Sequence, residues 1–218
     1  MQDVDVPIFE RATDDYRSAR RALRTAETKL RDQIEAVASQ RRKLPPGPTI
    51  KDFEFTDVAS GDKLKLSDLF DKSDVLLVYN MMYAPNEDAP CRMCTMWVDG
   101  YDGVMRQVNE VVPMAVIARA PIEKLRALRD SRGWDRLRLL SAPAEYSRLI
   151  GSENDDGSQN PIICVFRRTG NEISLWYRGS AELADEAERG IDLLSPAWNL
   201  LDLLPAGRGD WYPSPVVV

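Results

Sequence analysis

Hydrophobic positions along the chain follow three rhythms. Between Thr13 and Leu44, small or apolar residues recur at Tyr16, Ala19, Leu23, Ala26, Leu30, Ile34, Val37 and Leu44, in steps of mostly three and four, and the remaining positions are polar or alanine. That spacing predicts one long helix over 13–44 with a narrow apolar seam. Thr13 can cap it, Asp14 and Asp15 complement the positive end of its dipole, and Leu44-Pro45-Pro46-Gly47-Pro48 stops it. A single helix cannot bury such a seam on itself. The seam is therefore expected to lie on the domain that follows or on a second chain.

Beyond the prolines the rhythm shortens to two. Residues 53–58 alternate like a strand, 59–63 form a turn, and a return strand or short helix carries Leu64, Leu66, Leu69 and Phe70. The third rhythm is continuous. Residues 75–79 are apolar throughout, as expected of a strand covered on both faces at the centre of a sheet. An irregular loop over 83–90 leads to Cys91-Arg92-Met93-Cys94. From there Trp97, Val98, Tyr101, Val104, Met105 and Val108 recur at helical spacing, so the cysteine pair opens a helix. A strand over 111–118, a helix over 121–132 ended by Gly133, a short strand over 137–140 and a short helix over 144–150 follow. A turn-rich loop over 151–160 ends at Pro161. It is followed by a strand over 162–166, a turn over 167–171 and a return strand over 172–178. Helices are expected over 181–193 and 196–204. This alternation predicts an α/β fold.

Composition then removes whole classes of chemistry. The chain has 218 residues, room for one domain with an appendage, and no histidine. Ser-His-Asp and Cys-His catalysis, His-bearing zinc sites and His-ligated haem are excluded within it. With 29 basic against 35 acidic residues, a net of −6, it lacks the basic excess that a nucleic acid partner requires. No apolar run approaches the roughly 20 residues of a membrane span, and the first residues carry no export signal. No membrane partner and a cytoplasmic location are expected. A strand-to-helix glycine loop for phosphates is missing, so no nucleotide cofactor is expected.

Three cysteines, odd in number, do not make a disulfide scaffold, and a close pair in a reducing compartment points to redox or metal chemistry. A thiol at a helix N-terminus meets free N–H groups and the positive dipole end, which favour the thiolate, and Arg92 adds a positive charge. Cys91 is then the nucleophile, and Cys94, one turn on and aligned with the apolar seam, the buried resolving thiol. Glu87 and Asp88 oppose this from upstream. With Cys164 distant, the ligand count falls short of a zinc site, so no metal is expected. Met81, Met82, Met93 and Met96 would suit Cu(I) beside the thiols and otherwise are core filler. Cys164, in an apolar strand, reads as structural. Glu87, Asp88, Glu153, Asp155 and Asp156 make an acidic rim if the loops meet.

The order strand, CxxC opening a helix, strand, helix, loop, proline, strand and hairpin resembles the thioredoxin fold. The resemblance implies that Cys91 and Cys94 match its redox cysteines and that Pro161 matches its cis-proline, so a cis Asn160–Pro161 bond is expected. It also shows departures: Pro90 replaces the tryptophan before the first cysteine, and Val78 stands about where thioredoxin has a buried acid. Residues 112–133, with Ala118-Arg119-Ala120-Pro121, are more similar to the peroxiredoxin-like branch, although the Pro-x-x-x-Thr-x-x approach to a peroxidatic cysteine is missing. There Arg119 is either a guanidinium near the thiolate or a solvated strand-end arginine. More narrowly, Arg41-Arg42-Lys43-Leu44-Pro45, residues 91–103 with Trp97-Val98-Asp99-Gly100-Tyr101-Asp102-Gly103, Ala118-Arg119-Ala120-Pro121, and Leu200-Leu201-Asp202-Leu203-Leu204-Pro205 resemble the bacterial family known as domain of unknown function 899.

The expectation is thus an α/β, thioredoxin-like domain of the peroxiredoxin-like branch, a central sheet flanked by helices, with a long N-terminal helix. Residues 1–48 would form the helical extension, 49–205 the domain and 206–218 a C-terminal tail. Its function is expected to be thiol-disulfide exchange through Cys91, Cys94 and Pro161 on a protein or small-molecule thiol or disulfide. The alternatives are a non-catalytic interaction or assembly module, with a homodimer through the N-terminal helix, a thiol peroxidase, and a soft-metal-binding protein.

Overall fold

A computed structural model of the chain describes residues 7–182 and 189–215. The chain divides into two compact units, Met1–Pro45 and Pro46–Val218.

In the first unit a 3-10 turn, Pro7–Arg11, leads into α1, Asp14–Arg42. Thr13 caps α1 by accepting a 3.2 Å hydrogen bond from the Tyr16 amide, and Phe9 stacks on Tyr16 with ring centres 5.7 Å apart. Arg17 braces the entry by donating to the carbonyls of Ala12 and Phe9. Arg41 and Arg42 sit in the last turn, where the dipole favours them. No residue of α1 is buried, and Leu23 and Leu30 of the seam are 53% and 57% exposed.

The second unit is built on one eight-stranded sheet in the order β1-β8-β7-β4-β5-β6-β2-β3. The strands are β1 (Thr49–Ile50), β2 (Glu54–Asp57), β3 (Lys63–Lys65), β4 (Val75–Asn80), β5 (Met114–Ala118), β6 (Arg138–Ser141), β7 (Ile162–Thr169) and β8 (Glu172–Ser180). The helices are α2 (Arg92–Asn109), α3 (Ile122–Arg132), α4 (Ala144–Leu149) and α5 (Pro196–Leu201). β4 runs parallel to β5, and β5 to β6, through the crossovers of α2 and α3, while β7 lies antiparallel to β4 on its other side and turns back as β8. This parallel half joined to an antiparallel hairpin is a thioredoxin-like fold.

β4 is central because both its faces are apolar. Leu76 and Val78 enter one core with Phe55, Phe70, Tyr146 and Phe166. Tyr79 enters the other with Cys94, Trp97, Val98 and Met105 of α2 and Leu125 and Leu128 of α3. The two-residue period of a strand is what sends Val78 and Tyr79 to opposite sides. Gly133 closes α3 in the left-handed conformation at φ 67°, which glycine adopts without penalty.

The structure corrects several boundaries. β1 was not expected, since it is two residues long and follows three prolines. It exists because β8 supplies its hydrogen bonds, and a Cβ at Gly47 would collide with the Leu175 carbonyl. β7 runs on to Thr169 and β8 to Ser180, so the hairpin turn is only Gly170-Asn171. The helix expected over 181–193 falls partly outside the described residues. At its end Asp192–Leu194 is a 3-10 turn, and α5 stops at Leu201 rather than Leu204. No helix among the described residues is long and apolar enough to cross a membrane.

Candidate functional site

The loop leaving β4 is fastened before the cysteines begin. The Met81 amide donates to the Ile117 carbonyl at 2.9 Å, and the Cys91 amide donates back to the Met82 carbonyl at 3.1 Å. Lys124 donates to the carbonyls of Pro85 and Glu87 and lies 5.9 Å from the Tyr83 ring centre, bracing the outer part of the loop. Cys91 is thereby held as the N-cap of α2, with its carbonyl accepting from the amide and hydroxyl of Thr95, both at 3.0 Å.

This placement gives the two thiols opposite surroundings. Cys91 is half-buried, and its Sγ accepts from the Cys94 amide at 3.4 Å. Cys94 is 1% exposed, and its Sγ accepts from the Met82 amide at 3.4 Å. Both thiols are free. Hydrogen bonding from the Cys94 thiol lowers the Cys91 pKa to about 6. Burial opposes that shift, the amides of Cys94 and Met93 add to it, and Glu87 works against it. The same bond, with burial, pushes the Cys94 pKa well up, and the Tyr79 hydroxyl and the Met82 amide pull it back. Cys164 is buried on the other side of the sheet, where desolvation raises its pKa to about 12.

Arg92 plays a different part from the one expected. Its guanidinium lies 4.6 Å from the Tyr212 ring centre and donates to the Pro213 carbonyl at 3.1 Å, tying the C-terminal segment to the start of α2. It is not among the main influences on Cys91. Trp211 packs edge-on against Trp198 of α5, and Arg208 lies 4.2 Å from the Trp198 ring centre. The result is a cavity of about 370 Å³ into which Cys91 and Cys94 open, walled by Met82, Trp97, Pro161, Trp198 and Tyr212.

Pro161 reaches this cavity, as the alignment of elements required, but the Asn160–Pro161 bond is trans, since no peptide among the described residues is cis. The trans form is the lower in energy for an X–Pro bond, and the loop before it is already fixed in that path. The Asn160 amide donates to the Ser152 carbonyl at 3.0 Å, and its side chain donates to Gly151 and Asn154.

Two further expectations change. Arg119 is neither solvated nor turned to the thiols: it donates to Glu153 at 2.6 Å and to the Ala142 carbonyl at 2.7 Å. Glu153 is correspondingly 7% exposed and also 3.4 Å from Arg148, so it is no part of an acidic rim. The rim is mixed. Arg189 and Arg208 bind Asp192 and Asp202 at the cavity's edge.

Sequence reasoning missed Tyr79, Tyr101, Trp198 and Tyr212. Tyr79 was within reach, because alternation along β4 puts it, and not Val78, on the face of α2. Its ring stacks on Trp97 with centres 6.3 Å apart and meets Tyr101 edge-on at 5.2 Å. The buried hydroxyls of Tyr79 and Tyr101 have no hydrogen-bond partner of regular geometry.

A model of the family described as "Bacterial protein of unknown function (DUF899)" matches residues 5–215. No curated protein matches the chain. Similar solved structures include peroxidoxin BcpB from Mycobacterium tuberculosis, 21% identical, covering 62% of this chain and 88% of its own, with a TM-score of 0.42. AhpC from Enterococcus faecalis is 12% identical, covering 78% and 98%, with a TM-score of 0.49. The exposed lipoprotein thioredoxin Etrx1 of Streptococcus pneumoniae is 16% identical, covering 57% and 87%, with a TM-score of 0.41.

Proposed function

The chain belongs to the bacterial family of unknown function DUF899, and from the state of its two thiols we propose that it is a dithiol-disulfide oxidoreductase. The observation that carries this is the division of labour between the cysteines. Cys91 opens to a cavity with its thiolate favoured by the Cys94 thiol, and Cys94 is held behind it in the core. In the reducing direction the Cys91 thiolate attacks one sulfur of a substrate disulfide, and the S–S bond breaks. The departing thiolate takes a proton. Cys94 then loses its proton and attacks Cys91, forming the Cys91–Cys94 bond and expelling the second substrate thiolate, which is protonated in turn. Pro161 lines the same cavity as the dithiol, which supports a role for it in limiting how a protein or small-molecule disulfide approaches.

The test is mass spectrometry of the oxidised protein together with disulfide reductase assays. A Cys91–Cys94 link is expected, with loss of activity in Cys91→Ser and accumulation of mixed disulfides in Cys94→Ser. Absence of that link sinks the proposal. One observation favours a second reading, a non-catalytic module that pairs through α1: no residue of that helix is buried. A full-length protein that sediments as a dimer while Cys91 alkylates no faster than Cys164 establishes that reading instead.

A further inference from the structure

The resolving step requires a thiolate at Cys94, and Cys94 is the less acidic thiol of the pair. Something must stabilise that charge when it forms. In the dithiol state Cys94 Sγ receives one regular hydrogen bond, from the Met82 amide. The group facing it across the sheet-helix interface is Tyr79, fully buried at the end of β4 and lining the same cavity. Cys94, Trp97 and Tyr101 occupy one face of α2 at steps of three and four, and the Tyr79 ring is packed on Trp97 and Tyr101. The hydroxyl at the end of that ring is buried, has no hydrogen-bond partner of regular geometry, and lies within reach of the Cys94 thiol. Such a group is costly to leave unpaired and calls for an explanation in function or strain.

We propose that Tyr79 is a positioning residue for Cys94: its hydroxyl donates a hydrogen bond to the Cys94 thiolate formed when the mixed disulfide on Cys91 is resolved. This rests on the oxidoreductase reading above and names the residue that makes its second step accessible. The bond is worth more to the thiolate than to the thiol, because an ionised acceptor binds a donor more strongly. Tyr79 is not the base. Burial, and then Cys94, Tyr101 and Cys91, hold its own pKa well above the ordinary value, so it keeps its proton throughout. The Cys94 proton passes to the substrate thiolate expelled from Cys91, and no other reactant is needed.

The other ionisable groups around the pair are Tyr101 on α2, Glu87 in the preceding loop, Tyr212 in the C-terminal segment, and Glu182, Arg189, Asp192 and Arg208 at the cavity's edge. Among them Tyr101 carries the second unpartnered hydroxyl, but it does not line the cavity and is not among the main influences on Cys94. Tyr101→Phe therefore removes a similar buried hydroxyl without removing the proposed bond.

The experiment uses the reduced full-length chain and a symmetric chromogenic aromatic disulfide. Each turnover releases one aromatic thiol when Cys91 attacks and a second when Cys94 resolves, so the two steps appear as two phases. In Tyr79→Phe the first phase and its pH midpoint should be unchanged. The second phase should slow about 10- to 100-fold, with its pH midpoint raised by roughly one to two units, as expected for one lost hydrogen bond to an ionised group. Tyr101→Phe should slow it by less than about threefold, the scale of a merely structural change. A Tyr79→Phe variant whose second phase matches the wild type, or whose two phases slow equally, overturns the inference and leaves the oxidoreductase reading standing. Wild-type protein that releases only one equivalent overturns both.

Discussion

The sharpest consequence of the site concerns what Cys94 does for Cys91 before any substrate arrives. The Cys94 thiol is the largest influence lowering the Cys91 pKa to about 6 from an ordinary value of 9.0. Cys94→Ala removes this donor and keeps the backbone amides of residues 93 and 94 in place. A hydrogen bond to a charged group is worth about 1.5–3 kcal/mol, and one pKa unit is about 1.36 kcal/mol, so the Cys91 midpoint should rise by roughly one to two units. The sign is fixed by the chemistry. The bond favours the charged form of an acid, so losing it leaves less thiolate at every pH below the new midpoint.

A rate at a single pH would hide this effect. For a rise of about 1.5 units, the thiolate fraction near pH 6.5 falls about eightfold, while the more basic thiolate attacks a disulfide about fivefold faster, with a Brønsted slope near 0.45. The net loss there is under about twofold, and above about pH 7 the variant is the faster protein, by nearly fivefold at about pH 9. The assay is therefore the full pH profile of the first thiol released from an aromatic disulfide. The midpoint should move up, the plateau should rise, and Cys94→Ser, which keeps a hydroxyl donor, should lie between. An unchanged midpoint in Cys94→Ala would show that the amides alone set the Cys91 pKa and that the thiol-thiol bond is without consequence.

Two other outcomes follow from the packing around the site. Arg119→Ala leaves the buried Glu153 with only Arg148 at 3.4 Å, and should cost about 3 kcal/mol in urea unfolding, most of it recovered by a second change, Glu153→Gln. Cys164, its pKa raised to about 12 by burial, should resist alkylation until denaturant unfolds the chain. Cys164→Ala should leave the Cys91 pH profile where it is.

The parts of this fold that could be read from the sequence are those whose cause is local. Residues 75–79 are apolar at every position because β4 is covered on both faces, and α2 shows its buried face at Trp97, Val98, Tyr101 and Met105 because that face repeats every three or four residues. What escaped depends on distant partners. β1 is a strand only because Thr49 and Ile50 meet Ser174 and Ile173. Arg92 turns away from Cys91 because a carbonyl 121 residues later accepts from it, and Arg119 is captured by a carboxylate 34 residues on. Tyr79 is the intermediate case. A continuous apolar run hides which residue faces which side, so the run alone did not single out Tyr79, although the strand's period sends it, and not Val78, to the side of the dithiol.

The asymmetry of the dithiol follows from where a helix begins. The residue at the N-cap lies outside the helix and receives the free amides of the first turn, which here favour charge on Cys91. Three residues later the chain has completed most of a turn. A side chain there points into the face that packs on the sheet, which here buries Cys94 against Tyr79. One hydrogen bond between them then acts in both directions, lowering the pKa of the outer thiol and raising that of the inner one. Activation of Cys91 in the first step is therefore bought at the expense of Cys94 in the second. The groups outside the pair that favour charge on Cys94, the Tyr79 hydroxyl and the Met82 amide, are the ones that can ease resolution without weakening attack. That separation is why a substitution at Tyr79 should slow the second phase alone, while Cys94→Ala shifts the first phase and removes the second.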